Sequence, residues 1–191
     1  MEIIENSLRE AIEVKSALLN DEKKLNLIKS AAEFCIESLA RGGKVLLCGN
    51  GGSAADAQHI AAELSGRFKY DRPPLYAEAL HVNGSYMTAV ANDYSYDVVF
   101  SRLVEAMGNG GDVLIALSTS GNSKNVIEAV KAANGKKMTT IGLTGKEGGK
   151  LKELCDICIL VPSADTARIQ ECHITIGHII CEKIEKTMFP K

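Results

Sequence analysis

The residues best suited to chemistry crowd between Cys48 and Glu63. Three glycines, Gly49, Gly51 and Gly52, follow a short apolar run at 44–48 and lead into Ser53. Glycine permits positive φ and lets a ligand approach the backbone closely. Ser53 is a suitable helix N-cap, and Asp56 falls in the first turn after it. In the helix beyond, His59 and Glu63 stand four residues apart and so share a face. The segment therefore offers an anion-binding turn and, one to two turns on, a pair suited to metal binding or proton transfer. Alone, His59 and Glu63 would read as a solvated surface pair; the glycine turn just upstream favours a site.

A second candidate is Ser118-Thr-Ser-Gly-Asn-Ser123, directly after the apolar run at 113–117. Hydroxyls, free backbone N–H groups and a helix dipole at one helix start favour a phosphate. The Gly-Lys-Ser/Thr pattern of a nucleoside-triphosphate loop is missing. Gly49-x-Gly51-x-x-Ala54 fits a dinucleotide fingerprint loosely, but Glu78, the nearest ribose-binding acid, falls inside a strand.

The elements that must position these loops alternate. Apolar runs at 44–48, 75–81, 112–117, 138–143 and 157–161 read as buried strands. Helical stretches at 54–65, 85–106, 126–134 and 150–154 separate most of them, and a last long helix spans 166–188 with Gly177 inside it. This β-α-β-α order predicts a parallel sheet covered by helices, with ligands beyond the carboxyl ends of its strands. Two amphipathic helices, 3–19 and 22–40, precede the first strand, broken at Asn20-Asp21 and ended by Gly42-Gly43. The first, with Ile4, Leu8, Ala11, Ile12 and Leu18, would serve an interface or simple core packing. The second presents Leu25, Ile28, Ala32, Phe34, Cys35 and Leu39.

Composition narrows the class. The 191 residues suffice for one domain, 1–191, with 1–41 as its helical extension. Net charge is -2, from 22 basic and 24 acidic residues, so neither nucleic acid nor a membrane is the expected partner. The first residues lack the pattern of a secretory signal and no apolar run spans a bilayer, so a cytoplasmic location is expected. Cys35, Cys48, Cys172 and Cys181 read as small core residues. Cys155 and Cys158 form one C-x-x-C with no second pair; at the entry to a strand they should point to opposite faces and pack.

Gly49-Asn-Gly-Gly-Ser53 together with Ser118-Thr-Ser-Gly-Asn-Ser123 resembles the sugar isomerase (SIS) domain. Gln58-His-Ile-Ala-Ala-Glu63, Ala91-Asn-Asp93 and the run from Ala167 to His178 narrow the likeness to the sedoheptulose 7-phosphate isomerase (phosphoheptose isomerase) family, over essentially the whole chain. The resemblance implies a three-layer α/β sandwich with a five-stranded parallel, flavodoxin-like sheet, in a homotetramer with shared active sites. It implies zinc on His59, Glu63, Gln170 and His178. It implies sugar-phosphate contacts from Asn50, Gly51, Gly52, Ser53 and Glu63 at the first loop, and from Asn92, Asp93 and Gln170. At the second loop it implies Ser118, Thr119, Ser120 and Ser123. His81 and His173 fall outside these positions and read as histidines with local partners.

The chemistry agrees. Ketose–aldose isomerisation needs a base, a second acid–base group, and positive charge at the carbonyl oxygen. Glu63 and His178 supply the first two and a metal on His59 the third. A carboxylate bound firmly to zinc is a weaker base, so Glu63 is expected as a loose ligand that substrate displaces. Gln170 and His178 lie about 12 Å apart along one helix and roughly 80° around it, too far for one ion, so they should reach the metal from different subunits. Two other classes stand beside this one. A SIS-domain binding protein that docks on a replication initiator shares the loops but lacks the glutamate and the late-helix histidine. A dinucleotide-dependent oxidoreductase would rest on the loose fingerprint alone.

Overall fold

The computed structural model describes residues 1–191. The chain runs α1 (Glu2–Leu19), α2 (Glu22–Ala40), β1 (Val45–Cys48), α3 (Gly52–Ser65), β2 (Ala77–Ala79) and α4 (Gly84–Asp93). A 3-10 turn (Tyr96–Val98) leads into α5 (Val99–Met107), then β3 (Val113–Leu117), α6 (Lys124–Gly135), β4 (Thr139–Thr144), α7 (Leu151–Leu154), β5 (Ile157–Leu160) and α8 (Thr166–Met188). The five strands form one parallel sheet in the order β2-β1-β3-β4-β5.

Burial on both faces explains the continuous apolar runs. Val45 and Leu47 of β1 face a core shared with α2, α3 and α8, whereas Leu46 and Cys48 face α4 to α7. The chain leaves β1 toward β2 on one side and later enters β3 on the other. The crevice beyond the carboxyl ends of β1 and β3 is therefore the switch point where ligands bind in such sheets. The loops at 49–51 and 118–123 flank it.

Several sequence expectations need correction. The helix expected over 85–106 is two helices with a 3-10 turn between them. Asn92, Asp93 and Ser95 compete with the helical backbone for hydrogen bonds, and Ser95 is fully extended. Ser53 is not the N-cap of α3: Gly51 is, at φ 55, and Ser53 is buried inside the first turn. The second strand shrinks to Ala77–Ala79. Cys155 and Cys158 do not point apart. Cys155 ends α7 before the strand begins, and a Cβ on Gly142 would lie 3.1 and 3.2 Å from their two sulfurs. Burial pushes the Cys155 thiol up to about 12 and raises that of Cys158.

The apolar face of α1 is uncovered: only Leu18 is buried, while Ile3, Ile4, Leu8 and Ile12 are exposed. Leu25 and Phe34 of α2 are exposed too. Asp21, in the expected break between these helices, caps α2 by accepting from the Lys24 N–H at 3.1 Å.

Candidate active site

The first loop leaves β1 and turns at Gly51, whose φ of 55° suits glycine. No side chain caps α3. The Asn50 amide is held in place: it donates to Asn125 at 2.9 Å, accepts from Asn125 at 2.8 Å, and accepts from the Tyr96 hydroxyl at 3.1 Å. Asn125, buried in the first turn of α6, thus ties the first loop to the second. Sequence reasoning missed Asn125 and Tyr96, since nothing local marks either as a partner of Asn50.

The hydroxyls of the second loop are held by the loop itself, with Ser118 buried and Ser120 exposed. Ser123 is the N-cap of α6 yet its hydroxyl makes no capping bond; it lies 3.0 Å from the Ser118 hydroxyl. Ser120 Oγ accepts from the Asn122 N–H at 3.1 Å. Gly121, at φ 66°, lets the 145–149 loop press against this one: Leu151 N–H donates to Gly121 O and Gly145 N–H to Thr119 O. Any side chain at Gly121 would collide with the Gly148 carbonyl. Asn92 and Asp93 end α4 and hydrogen-bond each other at 2.9 Å in the open.

Further along α3, three titratable side chains meet. His59 Nε2 lies 2.9 Å from Glu63 Oε1. His178, more than a hundred residues later, joins them: the three offer ligand atoms all within 4.8 Å of one another. The His59 and His178 rings pack edge-on with centroids 5.0 Å apart, and Phe68 stacks on His178 at 5.6 Å and 24°. Two imidazoles and a carboxylate suit a divalent ion at bond lengths of about 2.0–2.2 Å, and only a small inward movement is needed.

This meeting depends on α3 and α8 running side by side in one direction. Gly52 faces Gln170 at one end, and Ile60 faces Gly177 further on. A Cβ on Gly177 would fall 2.6 Å from Ile60 Cγ1 and closer still to Cδ1, so glycine permits the approach. The helix passes through Gly177 unbroken. Gln170 lies eight residues before His178 on the same helix. Its amide packs over Gly52, where an added Cβ would lie 2.9 Å from its Cδ and Oε1. Gly52 precedes His59 by seven residues, about 10 Å of helix.

Neighbouring polar groups complete the electrostatics. Burial raises the Asp56 carboxyl, partly opposed by His59, and its Oδ2 has no partner. The expected local partner of His173 is missing, since neither of its nitrogens is hydrogen-bonded, and His81 Nδ1 is also unpaired. Burial pushes the His173 imidazole down to about 4. A surface cavity of about 760 Å³ lies beyond the second loop; Lys124, Lys131 and Lys150 there mix with Asp97, Glu128 and Glu153, giving no site of one charge.

Comparison with known proteins bears on this arrangement. Residues 8–145 match the model of the SIS domain. The chain is 54% identical over 188 residues to a phosphoheptose isomerase of Burkholderia pseudomallei, covering 98% of this chain and 95% of the relative. It superposes on phosphoheptose isomerase GmhA from Neisseria gonorrhoeae with a TM-score of 0.91 at 45% identity, covering 97% and 98% of the two chains. A phosphoheptose isomerase from Francisella tularensis gives a TM-score of 0.92 at 38% identity, covering 97% of each chain.

Proposed function

The chain belongs to the SIS domain family and to its phosphoheptose isomerases, and on that premise we propose that it converts sedoheptulose 7-phosphate to D-glycero-D-manno-heptopyranose 7-phosphate. It is an aldose–ketose isomerase. The observation that carries the assignment to this site is the convergence of His59, Glu63 and His178 in a chain that also presents a hydroxyl-rich loop for a phosphate.

The reaction is redox-neutral. The Glu63 carboxylate takes the proton from C1 and returns it to C2, through an enediol. His178 moves a proton between the two oxygens. Ser118, Thr119, Ser120 and Ser123, with the backbone at Asn50, Gly51 and Gly52, hold the phosphate away from the reacting carbons. Ser53 backs that turn from inside α3, and Asn92, Asp93 and Gln170 complete the sugar contacts. Zinc is the ion we assign to His59, Glu63, Gln170 and His178, where it would supply positive charge to the carbonyl oxygen as the enediol forms.

We assign Gln170 and His178 of each site to different subunits of a homotetramer. In support, Gln170 stands over Gly52 and lies eight residues, about 12 Å of helix axis, before His178 on α8, and the exposed apolar face of α1 is suited to a subunit interface. No helix is long and apolar enough to cross a membrane. We place the reaction in the cytoplasm, as the first step of ADP- or GDP-heptose synthesis for surface polysaccharide such as lipopolysaccharide.

The test is direct. Zinc-loaded protein is incubated with sedoheptulose 7-phosphate and the aldose followed by NMR, with and without chelator. Turnover should appear, stop with chelator, and be lost in Glu63→Gln, which keeps the shape but cannot take a proton. Absence of the aldose product overturns the assignment.

A further inference from the structure

A buried ion pair beside the His59–Glu63–His178 cluster has no part in the chemistry above. The side chains of Arg72 and Glu185 are 2% and 1% exposed and meet at 3.2 Å. Arg72 Nη2 donates to the Glu63 carbonyl at 2.7 Å, and Nη1 donates to the carbonyls of Leu64 at 2.8 Å and Gly66 at 3.2 Å. These carbonyls end α3, where no intrahelical partner remains. Glu185 accepts from the N–H groups of Phe68 at 3.1 Å and Lys69 at 2.9 Å. Glu185 stands seven residues after His178 on α8, two turns along one face. One guanidinium and one carboxylate thus lock the start of the 66–74 loop to both helices that carry the cluster.

The side chain this lock delivers is Phe68. Its ring stacks on His178 at 5.6 Å and 24°, with His59 edge-on to the same imidazole. A histidine that binds metal is ordinarily oriented by a hydrogen bond from its second nitrogen to a carboxylate or carbonyl. The structure gives His178 no such bond; two rings pack on the imidazole instead. We propose that Phe68, anchored by Arg72 and Glu185, is the positioning residue that orients the His178 imidazole for metal binding. The proposal rests on the reading that His59, Glu63 and His178 hold the metal.

The test uses metal-free protein in its native assembly and Zn²⁺ alone as probe, with affinity read by competition against a chromogenic chelator. Phe68→Leu keeps apolar volume but removes the plane that stacks; Phe68→Tyr keeps the plane. His178→Ala is the reference. Phe68→Leu should weaken Zn²⁺ binding by roughly 10- to 100-fold, the range for losing an orienting partner. Phe68→Tyr should stay close to wild type. Thermal melting of the metal-free proteins shows that each variant is folded, and Phe68→Met replaces the leucine variant if that one aggregates. Wild-type affinity in Phe68→Leu, alongside loss in His178→Ala, refutes the proposal alone. Equal loss in Phe68→Leu and Phe68→Tyr refutes it too. Unchanged affinity in His178→Ala refutes the metal reading, and the proposal with it.

Discussion

Replacing Gly177 by alanine drives a methyl group into Ile60. The new Cβ would sit 2.6 Å from Ile60 Cγ1, closer still to Cδ1, and 3.9 Å from Cβ. Ile60 is fully buried, in the core between α3, α8 and the sheet. Overpacking of this kind costs about 1–3 kcal/mol. Against it, alanine in a helix interior gains about 1 kcal/mol over glycine. The single variant should therefore lose up to about 2 kcal/mol, a fall in Tm of up to about 8 °C at this chain length. Ile60→Ala removes both clashing atoms and leaves only the contact at 3.9 Å, which is ordinary. That change alone costs about 2–5 kcal/mol as a cavity. In the Ile60→Ala background, however, Gly177→Ala should stabilise by about 1 kcal/mol through helix propensity. The four proteins, unfolded by denaturant at one fixed protein concentration, form a double-mutant cycle with an expected coupling of about 1–3 kcal/mol. Zinc affinity should fall in Gly177→Ala, because the wedge parts His59 from His178, and recover in the double variant relative to Ile60→Ala. Additivity within about 0.5 kcal/mol would refute the close approach of α3 and α8 as the cause.

Three further outcomes follow from the same geometry. Ser120→Ala and Ser123→Ala should each raise KM by about 10- to 100-fold, the worth of one hydrogen bond to a charged group, and lower kcat much less, because the phosphate is remote from the reacting carbons; steady-state kinetics that show only a kcat effect would place the phosphate elsewhere. His173, held neutral by burial at about 4, binds fewer protons folded than unfolded, where its ordinary value is about 6.5. Its contribution is whole above that value and declines as pH falls through it, by about 3 kcal/mol in all at pH 4; His173→Leu should flatten the stability profile between those pH values, and an unchanged slope would count against the buried neutral imidazole. His178→Ala and Gln170→Ala, each inactive alone, should recover partial activity when co-assembled, and verified mixed assemblies without recovery would exclude a site shared in this way.

Local pattern carried much of this protein. Apolar runs alternating with helical periods at 44–161 can satisfy their burial only as a parallel sheet covered on both faces, and the sheet is parallel throughout. His59 and Glu63 were legible as a pair because four residues of helix put them on one face, and they are 2.9 Å apart. The resemblance of separated motifs then pointed to His178 and Gln170, which spacing alone could not place. Tertiary structure decided the rest. Whether the face of α1 met a core or open surface was not written in its pattern, and only Leu18 is buried. Phe68, Arg72 and Asn125 carry no local mark, because their partners lie far along the chain: Phe68 meets His178, Arg72 meets Glu185, and Asn125 meets Asn50. Ser53 looked like a cap by type, but the turn at Gly51 started the helix earlier and buried it. Composition and periodicity act within a few residues, and so determine the elements and which faces are apolar. The meeting of Glu63 with His178 needs α3 and α8 packed at the distance Gly177 allows, and only the folded chain sets that distance.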